Sequence, residues 1–470
     1  MHEPNWTSHD PYLSGHFAPI QTEIDVKDLP VVSGAIPAAL DGVYMRNGPN
    51  PRFEPISYTY PLDGDGMIHA LTLCGGQAHY RNRFVRTRAF QTEERLGQAL
   101  YSGVMRPRPI DPALLRPGDE PGPFKNGAFI NVMTHGGRLL ALSEADTAYE
   151  MTMNLATIGE WRAGTDHPIS LGAHNRRHPS TEALFAIAYD VESPHVALHR
   201  IDAAGTLVTS QTVALQLPTM MHDFVLTERH AVLFACPAVF DLRAVATGGA
   251  ALDWRPQLGT RIALVPLDGS PLRWVETEPF FVFHFANGFE RDGVITIDYV
   301  RHAQLALAEA GVPSGAPPRL HRMRIDLATG VVRDDLVSDL GVEFPRINDR
   351  HEARKTRWIY CPTRTDALWE SGLPKGSFNA IAKLDPETGD PSLHDFGNRL
   401  IGEAVFIPDP GRRTEDGGYL ALYVFDLESQ TSDFVLVDAE HLEDEPVAVV
   451  RMPQRVPQGL HGNWMTRGSS

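Results

Sequence analysis

Apolar and polar positions alternate with a period of two along most of this chain, in runs too short for helices of ordinary length. The stretches AFINVMTH, GGRLLALSE, ALFAIAYDV, VALHRID, HDFVLTE, HAVLFACP, TRIALVPLD and GVITIDYV each predict a strand with one buried face. Turn signals such as His135-Gly136-Gly137, Ala203-Ala204-Gly205 and Asp268-Gly269 stand between them. Nearer the N-terminus, YPLDGDGMIHALTL and AHYRNRFVRTRAF predict a hairpin about Cys74-Gly75-Gly76, and the proline-rich residues 94–124 predict an irregular surface or lining loop. Ala303 to Gly311 is the one stretch with a convincing helical composition, of a length suited to a lid. Two D-x-x-T-G turns, Asp326–Gly330 and Asp385–Gly389, lie 59 residues apart. Among all-β architectures this weak periodicity favours a β-propeller, and residues 1–470 are expected to form a single propeller domain with lid insertions.

Composition narrows the function. A formal charge of −17 argues against nucleic acid, which is bound through a basic footprint. No run approaches the roughly 18 apolar residues of a membrane-spanning helix, and the first fifteen residues lack the basic and apolar regions of a secretory signal, so a cytoplasmic location is expected. Cys74, Cys236 and Cys361 are odd in number and far apart, which predicts free thiols and neither a disulfide framework nor a zinc site. The Asp63-Gly64-Asp65-Gly66 run lacks the acidic residue that would complete a calcium loop and reads as a glycine-rich turn.

Of twenty histidines, four stand out by their surroundings: His174 after a strand-like lead, His222 in MMHDFVLTE, His284 in FFVFHFANGFE and His461 in GLHGNWM. They are 48, 62 and 177 residues apart, close to one, one and three blade lengths, which would bring one imidazole from each of four blades to a common axis. A site of neutral imidazoles suits a borderline ion such as iron, copper or zinc. Metal-binding imidazoles commonly donate their second N–H to a carboxylate, and Glu144, Glu343 and Glu403 occupy apolar surroundings in which an unpartnered carboxylate would be costly. His178 and His230 compete for the same role; by context the first is a loop residue and the second a structural strand residue.

The ordered blocks DGVYMRNGPNP (41 to 51), GGRLLALSE (136 to 144), HDFVLTERHAVLF (222 to 234), FHFANGFE (283 to 290), EFPRIN (343 to 348) and GLHGNW (459 to 464) resemble the carotenoid cleavage oxygenase family, which includes lignostilbene and isoeugenol-type oxygenases. The resemblance implies a seven-bladed propeller with a loop and helix lid over a non-haem Fe(II). It also implies iron ligands at His174, His222, His284 and His461, with Glu144, Glu343 and Glu403 holding three of them. Two departures, Asn175 after His174 and Gly288 in the His284 block, remove no ligand.

The implied reaction uses O2 to cleave a conjugated C=C bond into two carbonyl products, with no obligate protein partner. The phenol-cleaving branch resembles a pattern with Lys directly before the first glutamate; this chain has Ser143, and Tyr101 and Lys125 match neither expected phenol-holding position. An apolar, apocarotenoid-like polyene is therefore expected, with Phe281, Phe283, Phe285 and Trp464 as candidate tunnel lining. A stilbene, styrene or phenylpropene stays open as substrate, as does peripheral membrane contact through an apolar lid patch. The rival from another class is a non-catalytic propeller that binds a partner.

Overall fold

In the computed structural model, residues 6–246, 249–305, 316–365, 373–374 and 376–467 are described. Seven antiparallel sheets of three to six strands form the blades of a seven-bladed β-propeller, and two further two-stranded ribbons pair Asp146–Thr147 with Ser170–Leu171 and Ala238–Phe240 with Leu252–Trp254. The ring closes twice. Gly462–Thr466, the last strand, pairs with Gly42–Arg46 and becomes the edge strand of the first blade. Val31–Gly34, near the other end, pairs with Ala448–Arg451 on the outer edge of the seventh. Closure pairs strands from both ends of the chain in two different blades, so neither blade can detach without breaking the other.

The strands that begin each blade at the axis are Asn131–His135, Asn175–Arg177, Val225–Leu226, Phe285–Arg291 and Val405–Pro408, together with Gly462–Thr466. Several pack directly on their neighbours, Val225–Leu226 on Phe285–Arg291 for example. In the blade between Gly341 and Asp395 this innermost position is taken by two isolated bridges, Val342 to Thr363 and Arg346 to Tyr360.

Separate apolar clusters glue successive blades. Tyr44, Leu71, Val405 and Phe434 pack between the first and seventh, while Ile187, Phe224, Phe234, Phe285 and Ile297 join the third, fourth and fifth. Removing one such aromatic or aliphatic side chain from water stabilises the fold by roughly 1.5–3 kcal/mol.

Local chemistry explains the turns. Gly75 and Gly76, at φ 56° and 79°, both take the left-handed conformation that a tight hairpin needs, and Cys74 pairs with Gln77 across them as expected. In both D-x-x-T-G turns the aspartate carbonyl accepts the glycine N–H, with Gly330 and Gly389 each at φ 76°.

One expectation is corrected. The run read as strand through Phe90 ends at Phe84, and Arg88–Leu96 is an α-helix. Thr87 caps it by accepting the Phe90 N–H, and left-handed Gly97 ends it by donating to the Glu93 carbonyl. The Thr87 and Gly97 punctuation was present in the sequence, but the alternating run before it carried the reading past its true end. Of the helix expected from Ala303 to Gly311, residues 306–311 lie outside the described residues. Among the described residues no helix is long and apolar enough to cross a membrane.

Candidate metal centre

Three of the four histidines sit one residue ahead of an axial strand: His174 before Asn175, His284 before Phe285 and His461 before Gly462. His222 precedes its short strand by three. Glu343 and Glu403 occupy the equivalent starting positions of the sixth and seventh blades, and Glu144 follows Arg138–Leu142, whose last residue pairs with Asn131. The propeller therefore delivers histidines and glutamates to its axis, most of them from the start of an innermost strand.

Candidate ligand atoms of His174, His222, His284 and His461 all lie within 4.8 Å of one another, and no other such group is found among the described residues. His222 Nδ1 donates to Glu144 at 2.5 Å, His284 Nδ1 to Glu343 at 2.5 Å and His461 Nδ1 to Glu403 at 2.9 Å. A carboxylate only accepts, so each Nδ1 carries the proton and each Nε2 presents a lone pair. Those lone pairs converge. His174 Nε2 stands 3.1 Å from His222 Nε2, and His284 Nε2 is buried with no hydrogen-bond partner. Converging lone pairs with one left orphaned are what a cation would relieve, so the residues present fit a metal ion. His174 has no carboxylate and is the one member of the four that is only half-buried.

The electrostatics favour neutral imidazoles at His174 and His461 and ionised carboxylates at Glu343 and Glu403. Burial, reinforced by the other three histidines, pulls His174 well below the usual imidazole range. Burial lowers His461 as well, against the pull of Glu403. For His222 burial works in the same sense, but the Glu144 carboxylate outweighs it and raises the value. Burial opposes ionisation of Glu403, yet Arg346 and His461 hold it down to about 2. Glu343 falls further still, with burial overcome by His284 and His302.

Two cavities meet at the cluster from opposite sides. One, about 230 Å³, is walled by Tyr60, Phe283, Phe344, Phe378, Leu460 and other largely apolar residues, with His222, His284 and His461 also lining it. The other, about 630 Å³, is polar, and Arg176, Arg346, Asp223 and Glu352 line it beside His174, His284 and His461. Arg176 Nη2 donates to Asp223 at 2.5 Å, Arg176 Nε donates to the Phe224 carbonyl, and Asp223 accepts the Phe285 N–H. Arg346 donates to the Gly462 carbonyl at 2.9 Å and lies 3.3 Å from Glu403. These arginines tie the starts of the axial strands together.

The four aromatic residues expected to line a tunnel separate. Phe283 walls the apolar cavity, its ring 5.7 Å from that of His222. Phe281 is buried behind it, edge-on at 4.6 Å, while Phe285 and Trp464 border the polar cavity instead. Equal parity does not put Phe281, Phe283 and Phe285 on one face, because regular strand begins only at Phe285 and the register shifts again before Asn287. Phe344 is the aromatic that sequence reasoning missed. It stacks on His284 at 5.0 Å from a left-handed backbone, φ 50°, and its N–H donates to Glu343. A bulky residue held there is strained, and such strain concentrates at functional sites. His178 bonds the Glu228 carbonyl and His230 bonds Glu290 at 2.8 Å; neither joins the cluster.

A family model described as retinal pigment epithelial membrane protein, RPE65, matches residues 17–466. A carotenoid cleavage oxygenase of Mycobacterium tuberculosis is 34% identical, over 97% of this chain and 98% of its own length. The chain belongs to the RPE65/carotenoid cleavage oxygenase family. Within that family, a carotenoid 9,10(9',10')-cleavage dioxygenase of Phaseolus vulgaris is 31% identical, over 97% of this chain and 89% of the relative. Among solved structures, lignostilbene dioxygenase from Pseudomonas brassicacearum superposes with a TM-score of 0.89 at 26% identity, covering 99% of this chain and 100% of the other. A Synechocystis apocarotenoid oxygenase variant gives 0.85 at 28%, covering 98% and 99%. Like its relatives, this member of the carotenoid cleavage oxygenase family is a dioxygenase that incorporates O2.

Proposed function

We propose that the chain cleaves a C=C bond of an apolar conjugated substrate, an apocarotenoid-like polyene, using Fe(II) held by His174, His222, His284 and His461. The observation that carries this reading is the convergence of four imidazoles on the floor of an apolar cavity. When bound, the iron supplies the open coordination positions and electron donation that O2 chemistry requires. The protein's own residues do the rest. Glu144, Glu343 and Glu403 keep the Nδ1 protons in place and turn the Nε2 lone pairs to the axis. Phe283, Phe344 and Phe378 exclude water and offer ring faces and edges to a planar conjugated chain, holding the scissile bond beside the histidines. In the overall reaction each alkene carbon takes one atom of O2, giving two carbonyl products and leaving no proton to be moved.

The polyene is favoured over a phenol because Lys125 and Tyr101, the two residues weighed as phenol holders, are committed elsewhere. Lys125 Nζ donates to Asp65 and Glu93, both at 2.8 Å, and Tyr101 donates its hydroxyl to the Glu120 carbonyl. Neither residue lines the apolar cavity. A stilbene or phenylpropene is the second reading, favoured by the close superposition on lignostilbene dioxygenase. The same account puts the protein in the cytoplasm, where Cys74, Cys236 and Cys361, all unpaired, stay reduced.

The test is O2 uptake by the iron-loaded protein against apocarotenals, stilbenes and 4-vinylphenols, with aldehyde products identified by mass. Rapid uptake with the apocarotenals supports the reading. Turnover confined to the hydroxylated stilbenes or vinylphenols would replace the polyene with a phenolic substrate.

A further inference from the structure

The three glutamates behind the histidines are not equivalent in what else they hold. Glu403 is balanced by a cation, Arg346, and accepts the Gly462 N–H on its second oxygen. Glu144 leaves Oε1 buried and without a hydrogen-bond partner. Glu343 alone bonds two imidazoles: Oε2 accepts from His284 Nδ1 and the Phe344 N–H, both at 2.5 Å, and Oε1 accepts from His302 Nε2 at 2.7 Å. His302 also walls the apolar cavity, edge-on to Phe283 with ring centroids 5.2 Å apart and planes at 78°. Its backbone is pinned in both directions to Phe281, three residues before His284, so both imidazoles reach Glu343 from one rigid blade.

We propose that His302 is a positioning residue for the metal centre, acting through Glu343 on His284. The inference rests on the reading that the four histidines hold a metal. With Oε2 shared by His284 and Phe344, the donor on Oε1 fixes the plane of the carboxylate and therefore the tilt of the His284 ring. Without it, Glu343 would hold a buried, unsatisfied oxygen and be free to turn toward another donor, releasing the His284 N–H. A single imidazole thus belongs both to the wall that a substrate would touch and to the support of one candidate ligand.

The experiment uses the full chain with Co(II) alone as probe, its affinity read by competition with a chelator and its geometry by the visible d–d bands. His302→Phe keeps an aromatic ring against Phe283 and removes the donor. His302→Asn removes the reach of the donor without adding bulk, and carries the same test if the Phe variant does not fold. His302→Gln extends an amide N–H to about the position of Nε2. The Phe and Asn variants are expected to bind Co(II) at least about tenfold more weakly, with shifted bands, and the Gln variant to restore affinity to within about twofold with wild-type bands. Wild-type affinity and bands in the Phe or Asn variant would overturn the inference. Equal losses in the Gln variant would also overturn it, by assigning the effect to ring packing. Wild-type chain that takes up no Co(II), or a His222→Ala chain that takes it up unchanged, would overturn the metal reading itself along with the inference.

Discussion

The two cavities that meet at the four histidines are built from the same axial strand ends, yet they differ in almost everything else. On one side Phe283, Phe344 and Phe378 make a smaller apolar wall; on the other Arg176, Asp223, Arg346 and Glu352 make a larger charged one. The polar side is also threaded by arginines that bond carbonyls of neighbouring blades. On the proposed function the difference is a division of labour: the apolar face of the histidine cluster receives substrate and the polar face holds the cluster rigid. A propeller can do both because every blade presents one end of its axial strand to each side.

The sharpest way to break this division is to remove what lies between the two sides. His222→Ala or His284→Ala should abolish stoichiometric metal binding and all O2 uptake, measured by metal analysis and an oxygen electrode. Next in size, Glu343→Gln should weaken metal binding by about 10–100-fold, since the amide can present an N–H to His284 where a carboxylate can only accept. The chelator competition used for His302 measures it.

The comparison itself is sharpened by a substitution on each side. Phe283→Ala, on the apolar side, should lower kcat/KM for an apolar substrate by about 10–100-fold, in line with the roughly 1.5–3 kcal/mol of a buried aromatic, and cost less stability than the loss of a buried charge partner. Arg176→Met, on the polar side, should do the reverse. Asp223 would be left buried without its cation, costing about 3 kcal/mol or more of stability by chemical denaturation, with KM for the organic substrate unmoved.

A further effect, confined to acid, concerns Glu403. In the metal-free chain the Glu403 carboxyl, at about 2 instead of the ordinary 4.5, contributes roughly 3 kcal/mol. Because its folded value is the lower one, that contribution is complete above about pH 4.5 and is lost as pH falls toward 2. Glu403→Gln should therefore flatten the acid limb of the stability curve and leave its slope near neutrality unchanged, as followed by circular dichroism.

Much of this was legible in the chain, for identifiable reasons. Period-two alternation with short turns belongs to antiparallel sheet, and His174, His222, His284 and His461 stand out by spacings close to one, one and three blade lengths and by the blocks they sit in. The glutamates were legible because a carboxylate in LIGEAVFIP or LGVEFPRI has no solvent to turn to. What the chain concealed depends on approach between distant segments. The pairing of Arg176 with Asp223, and of His302 with Glu343, exists only because neighbouring blades meet at the axis. Phe344 was hidden for a different reason: a left-handed phenylalanine violates the local rule that sequence reading relies on. That Phe285 and Trp464 border the polar cavity and Phe283 the apolar one also depends on how the axial strands meet.

The account stands on the claim that four histidines hold an iron that cleaves a conjugated alkene with O2. The most direct test is a single-turnover reaction of chain loaded with one Fe(II), an apocarotenal and ¹⁸O2, with products analysed by mass. The account predicts two carbonyl products, each carrying one labelled oxygen, and neither product from His222→Ala. Labelled products from a His222→Ala chain that holds its iron as tightly as wild type would contradict it.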